Sequence, residues 1–197
     1  MPDSIPDVID TLAGIAPGSP LDAIRAGRPQ ARQHAQTSFR ALFAPDPPGS
    51  VTTAERFAIA SFVAGLHGQP ETVRFYAARL AETGTALHDA IQAELPRAAG
   101  SGPYGSYPDG PLTAENTPGP EYRVDAPHRA ALGRLAAALE HAHMLVLHPR
   151  DATVSRLQAL LDAGWHTDDI VTISQLVAFL SFQIRVIAGL RTLAATV

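Results

Sequence analysis

Two stretches of this chain carry one helical pattern: TAERFAIASFVAGL at residues 53–66 and TDDIVTISQLVAFL at residues 167–180. They start 114 residues apart, and at that offset threonine, an acidic residue, isoleucine, valine, alanine and leucine coincide. Apolar residues recur in both stretches at the three- and four-residue spacing of an α-helix with a buried face. The pattern predicts an all-α fold, a helical bundle made of two related helical halves.

Composition limits the chemistry open to the chain. It has 197 residues, enough for one domain, with no cysteine and no lysine, so its 15 cations are all arginines. A thiolate nucleophile, a disulfide, a thiolate metal site and a lysine Schiff base are therefore impossible. The net charge of −4, without a basic run, argues against nucleic acid and anionic membranes as partners. We expect no cofactor.

Turn-forming residues divide the chain into segments. Residues 1–20 are rich in proline and glycine, which predicts an extended N-terminal segment within a single domain that spans residues 1–197. Few alternating β-branched runs occur, so no sheet is predicted. Apolar spacing predicts helices at about 21–26, 30–43, 53–66, 71–82, 84–95, 128–147, 151–163 and 167–194.

A loop insertion rich in proline, glycine and tyrosine is predicted at residues 97–126. Three tyrosines, Tyr104, Tyr107 and Tyr122, lie among its prolines and glycines. Tyrosine rings pack well when their hydroxyl reaches a polar rim, so the composition fits an ordered loop over the domain or a neighbouring subunit. A mobile insertion with exposed tyrosines is the alternative, because long loops are often mobile.

The helix predicted at 167–194 is apolar nearly all round. Gln175, Gln183 and Arg185 interrupt it and would be costly in lipid. Such a helix fits the centre of a bundle or a subunit contact, so we expect a homo-oligomer and no membrane span. The first residues of the chain carry acids and prolines instead of the basic and apolar stretches of a signal peptide, and we expect a cytoplasmic protein.

The region from Thr53 to Leu80 resembles the core helices of the AhpD-like, or carboxymuconolactone decarboxylase (CMD), superfamily, and so does the region from Gly164 to Val186. The peroxidase-related members of that superfamily are the most similar. The resemblance implies an AhpD-like helical bundle that assembles as dimers, trimers or hexamers. The loop at 97–126 then looks like an addition of a cysteine-free branch.

The resemblance also locates a peroxidase motif whose catalytic residues have all changed. In the peroxidase members the motif is a glutamate, eleven residues, a cysteine, two residues, a second cysteine, three residues and a histidine. The lead-in at residues 64–68 places Gln69 and Thr72 at the cysteine positions. Tyr76 then stands at the histidine position and Phe57 at the glutamate position. The catalytic residues of this chain, if it has any, are unknown.

A second register of the motif keeps the glutamate but changes the rest. It retains Glu55 and puts His67 and Pro70 at the cysteine positions and Arg74 at the histidine position. The first register is preferred because it keeps the apolar–x–Gly lead-in. Neither register supports disulfide redox chemistry, so the resemblance implies a protein that has lost its CxxC peroxidase site.

Polar residues around the changed motif remain candidates for ligand binding. Pro70 at the first turn of a helix leaves free N–H groups where an anion could dock, with Thr72, Arg74 and Tyr76 close by. His67 and Gln69 are further candidates. Alternatively, Gln69 and Thr72 merely cap the helix.

Three polar residues share one face of the C-terminal helix: Ser174, Ser181 and Arg185. They could line a pocket in which Arg185 binds a carboxylate through two hydrogen bonds. Alternatively, Arg185 forms an ion pair across a subunit or half-domain interface, where arginine is common.

The stretch Glu140-His141-Ala142-His143 contains the Glu-x-x-His spacing of a di-metal helical bundle. Such a site needs a second copy of the motif and further glutamates on facing helices, and the sequence shows no second copy. We therefore predict no metal site and expect these histidines to be solvated or at the edge of the core.

Three functions are compatible with these residues. The leading hypothesis is a non-redox binding or accessory protein with a small anionic ligand. The alternative is a thiol-independent enzyme that acts by proton transfer on a small carboxylate or lactone, as a CMD-like protein would; a carrier with a large apolar cavity is a third reading. Convergence of His67, Tyr76 and Arg185 on a closed pocket would favour the enzyme.

Overall fold

The computed structural model describes residues 7–196, which form ten α-helices joined by turns and one long loop. Within that range no strand occurs, apart from a single bridge between Gly105 and Thr117, so the all-α prediction is confirmed. The helices are α1 (Val8–Ala13), α2 (Pro20–Ala26), α3 (Pro29–Phe43), α4 (Thr53–Leu66), α5 (Pro70–Ala81), α6 (Thr85–Ala98), α7 (Ala126–Leu132), α8 (Leu135–Leu147), α9 (Val154–Asp162) and α10 (Thr167–Ala194).

The central helix is α4, which packs against α5, α6, α8 and α10 and buries residues on every side. A capping box begins it: the Thr52 hydroxyl accepts from the Glu55 N–H, and the Glu55 carboxylate accepts from the Thr52 N–H. After α4, Gly68 turns the chain with a left-handed φ of 62°, and Pro70 occupies the first turn of α5. Both ends of α4 agree with the prediction.

The longest helix is α10, with 28 residues. It continues through the point where α4 breaks, because Phe182 and Ile184 stand where the α4 pattern has Gly68 and Pro70. Within the described residues it is the one helix long and apolar enough to span a membrane by length and composition. Of the most apolar 18-residue stretch of α10, 44% is buried inside the protein, as in a helix that forms part of a core.

The N-terminal segment departs from the prediction. The extended conformation expected for residues 1–20 is wrong for Val8–Ala13, which form α1. The Asp7 side chain caps this helix, Gly14 ends it in the left-handed conformation, and its apolar side chains pack on α3 and α10. The cap and the packing outweigh the nearby prolines. Residues 1–6 lie outside the described residues.

Two other segment boundaries differ from the expectations. The helix predicted at 128–147 is split into α7 and α8, because Gly133 adopts a left-handed φ of 52° and ends α7. Periodicity alone missed the break because apolar residues continue across it. The helix predicted from 151 begins at Val154 in the structure, after a short 3₁₀ helix at Pro149–Asp151. We call the connection between α6 and α7, residues 99–125, the Pro/Tyr loop.

Candidate ligand cleft

A cleft of about 800 Å³ lies where the C-terminal end of α4 meets α8, α10 and the start of the Pro/Tyr loop. Arg185 is the one lining side chain with a permanent charge, and no carboxylate from residues 7–196 lines the cleft. The remaining polar groups are an imidazole and three hydroxyls, from His67, Ser101, Ser174 and Ser181. The apolar side chains are those of Leu66, Pro103, Leu145, Val146, Leu147, Pro149, Val177 and Ala178.

His67 connects α4 to α10 inside this cleft. It is the C-terminal cap residue of α4, and its Nε2 lies 3.1 Å from the Ser181 hydroxyl, within hydrogen-bond distance. Burial and, to a smaller extent, the nearby Arg185 charge together lower the pKa of His67 from 6.5 to about 4. The imidazole is therefore neutral at physiological pH.

A second histidine–serine pair involves Ser174, which lies seven residues before Ser181 on α10. The Nε2 of His141 on α8 lies 3.1 Å from the Ser174 hydroxyl, and Ser174 lines the cleft although His141 does not. Burial lowers the pKa of His141 to about 4, and its Nδ1 has no hydrogen-bond partner within residues 7–196. Sequence reasoning had considered His141 only as part of a metal motif and did not foresee this contact.

Arg185 lies at the exposed edge of the cleft. Its guanidinium donates a hydrogen bond to the Ser181 carbonyl oxygen at 3.2 Å. No carboxylate in the described part of the chain pairs with it, so the alternative of an ion pair within one chain is wrong. Its charge remains available to a ligand or to a second chain.

The Pro/Tyr loop forms one wall of the cleft through residues 100–103. The Tyr104 N–H donates to the Leu147 carbonyl oxygen at 2.6 Å, which brings the loop against the end of α8. A Cβ at Gly102 would come within 2.7 Å of that same oxygen, so this close approach needs glycine.

Glu94 on α6 anchors the other end of the loop. Its carboxylate is fully buried and accepts hydrogen bonds from the Tyr122 hydroxyl at 2.7 Å, the Asp125 N–H at 3.1 Å and His128. Burial alone would raise the pKa of Glu94, but these donors lower it below its usual value. The Tyr122 ring also stacks on His143, with centroids 5.0 Å apart. The loop is thereby tied to the bundle at both ends.

The positions of the changed motif do not reach the cleft. Phe57, Thr72 and Tyr76 are buried in the core. The Tyr76 hydroxyl donates to Gln183 at 2.6 Å, and burial raises the pKa of Tyr76. Of the predicted ligand-binding residues, the structure therefore brings together His67, Ser174, Ser181 and Arg185, and it leaves Gln69, Thr72 and Tyr76 apart from them.

The first turn of α5 is a poor site for an anion. Gln69 is the N-cap residue, but no side chain among residues 7–196 forms a capping hydrogen bond there, so the alternative that Gln69 and Thr72 cap the helix through their side chains is wrong. Glu71 already places a carboxylate at this turn, and it forms an ion pair with Arg191. The first turn of α5 therefore already has an anionic group beside it.

The Glu140 and His143 side chains of the Glu-x-x-His stretch form ion pairs and ring contacts with other residues. Glu140 pairs with Arg123 at 2.9 Å and with Arg129, while His143 stacks in the aromatic contacts under the loop. Burial lowers the pKa of His143 to about 4. Both His141 and His143 are buried. Across residues 7–196, no group of three histidine, aspartate or glutamate side chains could hold a metal ion.

Comparison of the chain with protein-family models, curated proteins and solved structures gives no match. The resemblance to the AhpD-like superfamily therefore stays a prediction from the motif residues. Function has to be argued from the cleft and its chemistry.

Proposed function

We propose that this chain is an AhpD/CMD-like protein without the CxxC site, a non-redox binding or accessory protein that holds a small anionic ligand in the cleft. The observation that carries the proposal is the lining: one arginine, no carboxylate within the described residues, neutral hydrogen-bonding groups and apolar walls. A small carboxylate with an apolar body matches each of these features. Arg185 would bind its carboxylate, His67 and Ser181 would orient it, and Leu145 and Val177 would contact its apolar part.

Proton-transfer catalysis on a small carboxylate or lactone is the second candidate, because His67 and Ser181 meet in the same cleft. A pKa of about 4 makes His67 a weak general base near neutral pH. No carboxylate in residues 7–196 orients the imidazole as the third member of a triad. Convergence of Tyr76 with His67 and Arg185 would favour the enzyme, but Tyr76 is in the core. The geometry therefore favours binding.

A binding experiment with matched probes tests the proposal. We would titrate the full chain with benzoate and hexanoate, and with benzamide and hexanamide, by calorimetry. The carboxylates should bind more tightly than the amides, and Arg185→Gln should weaken carboxylate binding about tenfold, since hydrogen bonds to charged groups contribute roughly 1.5–3 kcal/mol and this one is partly solvated. Arg74→Gln, a change to an exposed arginine on α5, is the matched control.

Equal binding of carboxylates and amides, or carboxylate binding unchanged by Arg185→Gln, would contradict the proposal. The enzymatic alternative has its own readout: ultraviolet absorbance would follow the conversion of a small unsaturated lactone. Turnover that is lost in His67→Gln and kept in Arg74→Gln would favour the enzyme over the binding protein.

A further inference from the structure

Exposed apolar side chains are concentrated on α9 and α10. Among the described residues, five of the seven large apolar side chains that are exposed lie on these helices: Val154, Leu157, Leu161, Val171 and Phe182. A groove of about 630 Å³ runs between the two helices, with walls that include Leu157, Leu161, Ile170 and Val171. Exposed apolar surface concentrated in this way marks an interaction site.

A stripe of six exposed residues runs along α10 beside this groove. We call it the α10 stripe, and it consists of Asp168, Val171, Gln175, Ala178, Phe182 and Arg185. Successive members are separated by three, four, three, four and three residues, the spacing by which helices pair along a continuous seam. This spacing reads the same from either end, so the stripe can match an antiparallel copy of itself.

We infer that two copies of this chain pair antiparallel through the α10 stripe, with Phe182 of each copy entering the α9–α10 groove of the other. In this register Val171 faces Phe182 of the second copy, and Gln175 faces Ala178. A two-fold axis between them makes the contact isologous, the commonest arrangement of soluble dimers. The small Ala178 side chain near the axis lets the helices approach closely.

Charge complementarity identifies a second copy as the occupant of this surface. The same register brings Asp168 of one copy to Arg185 of the other at both ends of the stripe. Neither side chain forms an ion pair within residues 7–196; Arg185 donates only to a carbonyl oxygen of its own helix. A parallel pair would place like charges together, which opposes that arrangement.

The pairing also bears on the ligand cleft, because Ala178 and Arg185 belong both to the stripe and to the cleft lining. A second α10 would cover this side of the cleft, and its Asp168 would compete with a ligand carboxylate for Arg185. The inference itself does not rest on the proposed function, since it stands on the stripe and the groove. Its test uses the chain without any ligand, so the two ideas fail separately.

Light scattering coupled to size exclusion tests the dimer. The eluted particle should have twice the 20.8 kDa mass of one chain. Phe182→Glu should raise the dimer dissociation constant at least about 30-fold, as expected for a central buried aromatic contact. Circular dichroism should show an unchanged helical content, because Phe182 is 48% exposed in the single chain. Leu112→Glu, at a residue of similar exposure in the Pro/Tyr loop, is the matched control and should leave the dimer intact.

A charge exchange tests the antiparallel order. Asp168→Arg and Arg185→Asp should each weaken the dimer, because each brings two like charges together at both ends of the stripe. The double exchange should restore it at least to within about threefold of the unchanged chain, since the pairs are then opposite again.

Several outcomes would overturn the inference. One is a chain that stays at 20.8 kDa up to high micromolar concentration. Another is an assembly that survives Phe182→Glu, which would place the contact on a different surface. A third is a dimer that Phe182→Glu disrupts but that the double charge exchange does not restore after either single exchange has weakened it. That result would exclude the antiparallel register.

Discussion

At the scale of single residues, one half-buried and two buried histidines link stability to pH. Burial lowers the pKa of His67, His141 and His143 to about 4, with Arg185 contributing at His67 and His148 at His143. An unfolded histidine has a pKa near 6.5, so the unfolded chain binds more protons than the folded chain between about pH 4 and pH 6.5. The neutral rings therefore make their full contribution to the free energy of unfolding above about pH 6.5. This contribution is lost as pH falls toward 4.

We predict that His141→Gln reduces this pH dependence. A glutamine amide can still hydrogen-bond to Ser174 but takes up no proton. In the unchanged chain, the urea concentration at the midpoint of unfolding should be lower at pH 5 than at about pH 7. The difference between the two pH values should be smaller in the variant. Fluorescence of Trp165, the single tryptophan and a buried one, follows the unfolding. His34→Gln, at an exposed position, is the control; an equal fall in all three chains would show that His141 does not contribute.

Cysteines introduced at residues 69 and 72 should not create a peroxidase. Thr72 is fully buried, so a cysteine there would have a raised pKa and little thiolate. Phe57 and Tyr76 lie in the core and supply no proton relay. The double variant Gln69→Cys, Thr72→Cys, assayed with a hydroperoxide and a dithiol reductant, should stay at the rate of the cysteine-free chain. A rate clearly above it would show that the core opens far enough to expose the new thiols.

At the scale of elements, local signals determined how much could be predicted from sequence. Both ends of α4 were predictable because Thr52, Glu55, Gly68 and Pro70 act on their own turns. The sequence did not indicate the start of α1. The Asp7 cap lies in a proline-rich segment, and the packing of α1 on α3 and α10 is a tertiary effect. Local chemistry is visible in a single sequence, whereas a packing partner far along the chain is not.

The site was predictable only in part for the same reason. Helical spacing correctly put Ser174, Ser181 and Arg185 on one face, and all three line the cleft. The contact of Ser174 with His141 joins residues on different helices, and no spacing rule indicates it. The motif positions Thr72 and Tyr76 were expected near a ligand, but the α5 turn directs them into the core. Resemblance located the turn without showing which way its side chains face.

The Pro/Tyr loop gives a prediction about a whole element. Glu94→Gln removes the buried carboxylate that accepts from Tyr122, the Asp125 N–H and His128. Loss of this anchor should speed tryptic cleavage after Arg123 and chymotryptic cleavage within the loop by about 10-fold or more, because each unsatisfied buried donor costs roughly 1–3 kcal/mol. The unchanged chain should be cut slowly at these sites.

Glu115→Gln, at an exposed position in the same loop, is the control for that experiment and should be cut as slowly as the unchanged chain. Rapid cleavage of the unchanged chain, with the rest of the protein intact, would instead establish the mobile insertion that the sequence left open.

At the scale of the whole molecule, Arg134 joins three helices that are distant in sequence. It precedes α8, and its guanidinium forms a two-pronged pair with Glu55 at the start of α4, with distances of 2.7 and 2.9 Å. The same group lies 3.9 Å from the centre of the Trp165 ring, just before α10. The Trp165 indole N–H donates back to the Arg134 carbonyl oxygen at 2.9 Å. One side chain thus links the starts of α4, α8 and α10.

We predict that Arg134→Gln lowers the free energy of unfolding by roughly 1–3 kcal/mol, because it removes the charged fork and the stacking on Trp165 while part of the pair remains solvated. Arg134→Lys should recover less than half of that loss, since an ammonium keeps the charge but cannot form two parallel hydrogen bonds. Urea unfolding followed by circular dichroism measures both, with Arg28→Gln, at an exposed arginine before α3, as the control. If the lysine variant were as stable as the unchanged chain, charge alone would account for the contact, and the fork geometry would have no part in holding the starts of α4, α8 and α10 together.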